Sequence, residues 1–526
     1  MKRILLPGLS GLYASTFLLQ FGFSLVGIFI PLYIFKVTQG LGWVLAFYLV
    51  FNLTVLISTL PIARLVARFG SDWIAFSGTI PRVIFFVFLI LADKDPAFFL
   101  WSAALWGLAV PLYWLPFHLS VVGSDHKLTF GQDAARINLV GKLATIAGPI
   151  IGGLIIQMTG FTPLYLLGLF LIIASALPLF FDKYEFKFPE ISLKTLKENL
   201  PLKQMPRLFL GYFGAGMTTQ VYDIIWPLYV FLLIGSYQFL GAITSISLLA
   251  SFVLLILAGQ LTDRFGRQIF RWSIPLNFIN WLIRPILSGQ LFLFLVDLAY
   301  QLVGIFVWVP LDGLSYYTAV RTKRLEFFLA RELALHSGSF LATLMLIPLI
   351  ASTIYRASPV INLSNLNWVL AFALGAFSLL LLGQLGFTKE EGLKSAATVL
   401  IRADGAVLMQ HRDNKTSIVF PGYWCLPGGK VKMDEEPETA ARRELQEETG
   451  YRASSLNLLA EETYLLPGGQ KIARSIFWTT YDGQQKIECF EGKEMKFLKL
   501  DEMKTRDIYP GHEGFCQRAL EKFKSS

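Results

Sequence analysis

Residues 428–451 read GGKVKMDEEPETAARRELQEETGY. Pro437 suits the first turn of a helix, and Gly450 suits the position just past its end. On that helix Glu444, Glu447 and Glu448 stand at i, i+3 and i+4, so three carboxylates share one face. Like charges at this spacing repel by a few tenths of a kcal/mol per pair, which asks for a cation to offset them. Clustered hard oxygen donors suit Mg²⁺ or Mn²⁺, ions that bridge to phosphate oxygens. A lone acidic run beside Arg442 and Arg443 would read as a solvated helix face; the wider spacing decides against that.

The spacing is Gly429, five residues, Glu435, seven residues, then Arg443, Glu444, Leu445, one residue, Glu447, Glu448, one residue and Gly450. This resembles the signature of the Nudix hydrolases at every fixed position. The one departure is Tyr451, where that family carries an aliphatic residue, and it touches packing rather than the carboxylates. The resemblance implies catalytic roles for Glu444, Glu447, Glu448 and Arg443, the last orienting a carboxylate. It also implies divalent-metal ligation by Glu444, Glu447 and Glu448, with a backbone carbonyl near Gly428 or Gly429. Glu491 is the expected further carboxylate, with Glu494 as its competitor. Gly429, Glu435 and Gly450 are signature positions.

Outward from this box the chain changes character. It has 526 residues, 54% hydrophobic and only 16% charged, with a mean hydropathy of +0.55. Apolar runs repeatedly exceed the roughly 20 residues that cross a bilayer. The net charge of +9 is read as Lys and Arg in cytoplasmic loops, and no nucleic-acid polymer is expected as a partner. Cys425, Cys489 and Cys516 show no metal or disulfide spacing, in keeping with a reducing compartment. The start, MKRILLPGLS, lacks a small-residue cleavage site and reads as the lead into a first transmembrane helix.

Twelve apolar spans are expected, at about 11–35, 42–67, 72–92, 97–121, 135–158, 162–181, 208–234, 238–261, 268–287, 291–314, 327–354 and 366–387. An internal repeat supports the count. Pro31-Leu-Tyr-Ile-Phe35 recurs as Pro227-Leu-Tyr-Val-Phe231, an offset of 196 residues. Ala63-Arg-Leu-Val-Ala-Arg-Phe-Gly70 parallels Gly259-Gln-Leu-Thr-Asp-Arg-Phe-Gly266 at the same offset, and Ala135-Arg136 parallels Ala330-Arg331 at 195. Two homologous six-span halves follow, a known transporter plan.

The segment from Gly259 to Arg267, with Asp263 and Arg264, resembles the loop signature of the major facilitator superfamily. Its N-terminal copy is degraded, with Ala67 and Ser71 where the second copy has Asp263 and Arg267. Gly148-Pro149-Ile-Ile-Gly152-Gly153 is similar to that family's glycine-proline motif, where small residues permit close helix approach. The implied fold is an all-α polytopic membrane domain of 12 transmembrane helices in a 6+6 pseudo-repeat. It occupies 1–388, with halves of about 1–182 and 208–388 around a cytoplasmic linker, 183–207. A linker at 389–395 and an α/β/α sandwich at 396–526 complete the chain.

Lys and Arg in alternate loops and in the 183–207 linker place both termini and the Nudix domain in the cytoplasm of a cell-membrane protein. Ionisable residues inside spans mark a pathway, a relay or a partner. Asp223 is the expected substrate or proton site, with Arg82, Asp263 and Arg264 as further transport residues. Arg331 and Glu332 lie near a span end, where snorkelling or an ion pair between the halves explains them, and His118 and His336 read as packing residues.

In the C-terminal part, 397–403 and 406–411 read as strands joined by a tight turn at Asp404-Gly405, 475–481 and 495–500 as further strands, and 511–523 as a helix. The resemblance implies cleavage of a diphosphate in a nucleoside diphosphate derivative, fused to transport of an unknown solute through the lipid bilayer. The alternative is a transporter whose Nudix domain senses a nucleotide without turnover. Pro467 lies where ADP-ribose-cleaving relatives carry a proline, and Phe420, Tyr423 and Trp424 are equally suited to base stacking or to core packing.

Overall fold

The computed structural model describes the chain apart from residues 1–9, 124–129, 181–197, 199, 203–204, 266–267, 287–288, 322, 355–365, 384–392, 414–419, 432–434, 466–470 and 526. Pro467 and most of the 183–207 linker therefore lie outside the described residues, as do the side chains of Asp263 and Arg264. Two compact units separate, Met1–Thr388 and Lys389–Ser526.

The first unit is helical. Seven helices among the described residues are long and apolar enough to cross a membrane, and Tyr237–Val253 with Leu255–Thr262, bent by 47°, makes an eighth if the pair is one span. Of the other expected spans, Phe161–Ala176 and Gln268–Ile283 have 16 residues each, Leu366–Gly383 has 18, and Arg324–Ile354 carries Arg324, Glu326, Arg331 and Glu332 in its first part. Around the bundle Ile57, Trp73, Trp101, Met158, Trp272 and Ile286 are all more than 55% exposed. In water such a surface would associate; against hydrocarbon it is the expected belt.

The sequence repeat returns as backbone geometry. The N–H of Gln39 closes a helix on the Phe35 carbonyl at 2.8 Å in a left-handed conformation (φ 53°). Gly235 closes another on Phe231 at 2.7 Å (φ 72°), again 196 residues later. The glycine-proline motif lies on Phe130–Thr159. A Cβ at Gly148 would strike Ser24 of the helix Ser10–Val26, and one at Gly153 would fall 2.5 Å from the Tyr237 carbonyl oxygen at the start of Tyr237–Val253. Only hydrogen fits there, so this helix touches its own half through one glycine and the other half through another.

The second unit is built on one sheet of seven strands. β1 (Leu393–Ile401), β2 (Val407–His411), β3 (Trp424–Cys425), β5 (Asn457–Leu465) and β6 (Lys471–Thr480) run in the order β3-β2-β1-β6-β5. β4 (Gly428–Lys430) pairs with β1, and β7 (Glu494–Leu498) with β2. β1 and β6 are parallel, from Leu393↔Ile472 to Ile401↔Thr480, and the other pairs are antiparallel. The turn at Asp404-Gly405 forms as read, with Gly405 at φ 79° and the Arg402 N–H donating to the Ala406 carbonyl at 2.8 Å. Boundaries differ by a few residues: the expected 397–403, 475–481 and 495–500 form as Leu393–Ile401, Lys471–Thr480 and Glu494–Leu498, and β1 starts inside the expected 389–395 linker because Leu393, Lys394 and Ser395 find partners on β6.

Alternation along β1 makes the sandwich. Ala397, Val399 and Ile401 face a core shared with Phe515, Cys516, Ala519 and Leu520 of the helix His512–Ser525. Ala396 and Leu400 face the opposite way, onto Ala440, Ala441 and Leu445 of the helix Pro437–Thr449. Tyr451 completes that second layer, 2% exposed, its hydroxyl donating to the Thr480 carbonyl at 3.2 Å. The departure from the aliphatic pattern is thus absorbed by the core and a hydrogen bond.

Candidate active site

The helix Pro437–Thr449 presents the acidic face, and Gly450 ends it in the left-handed region (φ 75°), its N–H bonded to the Gln446 carbonyl at 2.9 Å. Trp424-Cys-Leu-Pro leads into β4, whose two glycines lie under the helix. Gly428 has φ 155°, a value few side chains adopt, and a Cβ there would run into the backbone of Ala396 and Ala397. A Cβ at Gly429 would fall 2.5 Å from the carboxyl carbon of Glu444. The second glycine is therefore a cradle for a carboxylate.

The acidic residues divide between two sets of donors. Arg443 binds Glu435 with both arms of its fork, Nε to Oε1 at 2.8 Å and Nη2 to Oε2 at 3.0 Å. Its Nη1 donates to Glu444 at 2.7 Å and to Glu447 at 3.0 Å, and Nη2 also reaches the Lys430 carbonyl at 3.2 Å. Glu435 is the first cause holding this guanidinium charged well above its ordinary range. Glu448 stands apart, 5% exposed, its Oε2 accepting from the Gly428 N–H at 3.1 Å.

Burial, then the nearby Glu491 charge, push the Glu448 carboxyl up to about 8; the Gly428 N–H pulls the other way. Glu491 is held close by backbone. The Phe490 N–H donates to the Glu448 carbonyl and the Glu488 N–H to the Thr449 carbonyl, both at 3.0 Å, so this segment caps the end of the helix. Gln410 Nε2 binds the Glu491 carbonyl at 3.0 Å. Glu494 lies on β7 and approaches His411 Nδ1 at 3.7 Å instead.

Among the described residues no three His, Cys, Asp or Glu side chains converge closely enough to hold a metal ion. The carboxylates that sequence spacing puts on one face are parted here, two to Arg443 and one to a backbone N–H. That is what mutual repulsion produces when arginine is the available cation. The donor set still fits a hard divalent ion: all oxygen, with one carboxylate buried against another and Glu444 seated over Gly429.

Of the aromatic residues, Trp424 is 4% exposed and stacks on His411 at 4.8 Å, so it belongs to the core. Phe420 packs on Tyr423 and Tyr509. Sequence reasoning missed His512, buried with Nδ1 accepting from the Leu426 N–H at 2.9 Å. Burial and the Arg474 and Arg412 charges hold it neutral, well below its ordinary range, and it fixes the turn that enters the signature.

In the membrane unit Asp223 is exposed although its neighbours Val221 and Ile224 are buried, and Tyr48 lies near it. Arg82 takes partners within its own half, donating to the Ala109 carbonyl at 2.9 Å and lying over Tyr113 at 4.8 Å, and makes no contact with Asp223. Arg331 and Glu332 do not snorkel: both are buried, and Arg331 reaches Glu332 at 2.9 Å, His118 at 3.1 Å and Asp312 at 3.2 Å. His336 bonds Asn52 at 3.0 Å, and Asn52 bonds Gln220 at 2.8 Å. Hydrogen bonds thus tie the N-terminal helices that carry Asn52 and His118 to the C-terminal half.

With this geometry in place, comparison with known proteins is direct. Residues 393–519 match the model of the NUDIX domain, and residues 12–204 match that of the Major Facilitator Superfamily. The chain therefore joins a Major Facilitator Superfamily membrane domain to a Nudix domain. It is similar to the uncharacterized protein YqgE of Bacillus subtilis, with 24% identity over 64% of this chain and 80% of that protein. A MutT-like protein of Streptomyces ambofaciens is 45% identical over 58 residues, 11% of this chain. CMP-5'-(N-acetyl-N-hydroxy-3-aminopropyl)phosphonate hydrolase of Streptomyces rubellomurinus is 31% identical over 19% of this chain. The chain spans 34% and 54% of the length of these last two. The crystal structure of the human organic anion transporter MFSD10 (TETRAN) shares the fold, with a TM-score of 0.54 at 12% identity over 71% of this chain and all of that one.

Proposed function

We propose that the Nudix unit hydrolyses a diphosphate linkage in a nucleoside diphosphate derivative, using Mg²⁺ or Mn²⁺, on the cytoplasmic side of a twelve-span solute transporter. The observation that carries this reading is Glu448, buried beside Glu491 and facing the glycine turn, with its carboxyl pushed up to about 8. A group so destabilised as an anion gains most from a cation. Glu444, Glu447, Glu448 and Glu491 would hold the ion with the Gly429 carbonyl, and Arg443 would keep Glu444 and Glu447 oriented. When bound, the ion neutralises the diphosphate and lowers the pKa of the attacking water. Gly429 leaves room for Glu444, Arg443 tethers the flexible carboxylates, and Glu448 would serve as a ligand in its deprotonated form. Asp223 is the proposed contact for the transported solute or a coupled proton, supported by its exposure within a buried helix.

The test uses full-length protein in detergent, wild type beside Glu447→Gln and Glu448→Gln, with ADP-ribose, nucleotide sugars, dinucleoside polyphosphates and nucleoside triphosphates. Mg²⁺-dependent turnover lost in both variants supports the hydrolase. Tight binding of one compound without turnover in the wild type replaces it with a nucleotide sensor.

A further inference from the structure

In the C-terminal half of the membrane unit Arg284 is fully buried just past the helix Gln268–Ile283. Four rings surround it: Trp226 at 4.1 Å, Tyr300 at 4.7 Å, Trp281 at 4.9 Å and Tyr222 at 5.5 Å. Its Nε donates to Asn280 Oδ1 at 3.1 Å, and Asn280 is itself anchored on the Val296 carbonyl. Nη1 and Nη2 have no hydrogen-bond partner. Rings attract the cation, but a guanidinium also carries directed N–H donors, and the outer ones are unserved.

Asp297, on the helix Gln290–Arg321, is also fully buried. Its Oδ1 accepts from the Tyr222 hydroxyl at 3.0 Å, and Oδ2 has no partner. Asp297 bonds Tyr222 rather than Arg284, and the two charges act on each other across that ring. Tyr222 lies over one and bonds to the other, so the two opposite charges flank a single ring. Trp226 Nε1 and Ser247 Oγ face the same carboxylate and favour its charge, without reaching good hydrogen-bond geometry. The two buried charges favour one another across Tyr222, yet Arg284 Nη1 and Nη2 and Asp297 Oδ2 are left without a hydrogen bond, which is costly in a buried site.

We propose that Arg284 and Asp297 form a binding site for a small zwitterion carrying a carboxylate and a neighbouring ammonium, an α-amino acid. The outer nitrogens of Arg284 match a planar carboxylate in a two-point contact. Asp297 Oδ2 accepts from the ammonium, and the neutral ligand completes both charges without adding one. The aromatic walls take an apolar side chain. The site lies within one half, and it stands whether or not the Nudix unit turns over a nucleotide.

The test is thermal melting of the full-length protein in detergent with L-alanine and L-phenylalanine, against propionate and ethylamine as the two parts of alanine. The expected result is a rise in melting temperature with the amino acids, a smaller one with propionate and none with ethylamine. Arg284→Gln should raise the apparent Kd for the amino acids roughly tenfold to a hundredfold, the range for a lost charged hydrogen bond. In Asp297→Asn the preference for alanine over propionate should vanish. The proposal is overturned if neither amino acid shifts the wild type, or if the apparent Kd is unchanged in Arg284→Gln. Should Arg284→Gln fail to fold, an undiminished preference for alanine in Asp297→Asn overturns it instead.

Discussion

A methyl group at position 429 would land 2.5 Å from the Glu444 carboxyl carbon. Gly429→Ala should therefore push Glu444 aside, raise the Mg²⁺ concentration for half-maximal hydrolysis about tenfold or more, and leave melting of the metal-free protein almost unchanged, since the pushed group is a side chain on a partly open face. A Mg²⁺ titration of activity checks it. Glu448 supplies a second prediction. Its carboxyl is raised in the folded state from the ordinary value to about 8, so the fold holds that proton more tightly than the unfolded chain. In chelator, the Nudix unit should lose stability as pH rises from about 4.5 to about 8, by a few kcal/mol in all. Melting curves across that window should flatten in Glu448→Gln. The residue scale is also where sequence spoke unevenly. The identities of Glu444, Glu447 and Glu448 were legible from spacing, but their division between Arg443 and Gly428 was not, because i, i+3 and i+4 describe a helix face and say nothing of the donors opposite it.

The helix Pro437–Thr449 and its exit show what an element adds. Tyr451→Ala removes a buried ring and should cost about 3–5 kcal/mol, whereas Tyr451→Phe loses the bond to the Thr480 carbonyl and the one accepted from the Asp482 N–H, about 1–2 kcal/mol together. Chemical denaturation followed by Nudix-unit fluorescence separates the two. The helix was readable because Pro437 and Gly450 punctuate it. β5 went unread, since AEETYL alternates too weakly for a strand that uses one face. β1 was read four residues short because Leu393, Lys394 and Ser395 become strand only through β6, a partner about 80 residues away in sequence. The Arg284 and Asp297 site was invisible for a related reason: sequence shows only two charges within spans, and three helices bring the rings around them.

For the whole molecule, Gly148 and Gly153 decide how Phe130–Thr159 is held. Gly153→Leu should force that helix off the Tyr237 backbone, lowering the melting temperature of the membrane unit while leaving the KM for nucleotide hydrolysis unchanged. Both readings come from the same detergent preparation, and a shift in KM would show that the units are coupled. The hydrogen bonds from His118 to Arg331 and from Asn52 to His336 join the halves by side chains rather than backbone, which a rocking pair of halves can break and remake at modest cost.

The parallel pairing of β1 with β6 has a consequence for synthesis. β1 is the first strand of the Nudix unit, yet its longest partner, β6, starts only at Lys471. Until the ribosome has passed that point, the apolar run from Ala396 to Ile401 has no long edge to pair with. The membrane helices are already made by then, so the Nudix unit closes late, by a slow non-local contact. A stop codon between 402 and 470 should yield chains that insert into the membrane but trail a sticky, unfolded tail. Quality-control proteases would meet that tail first.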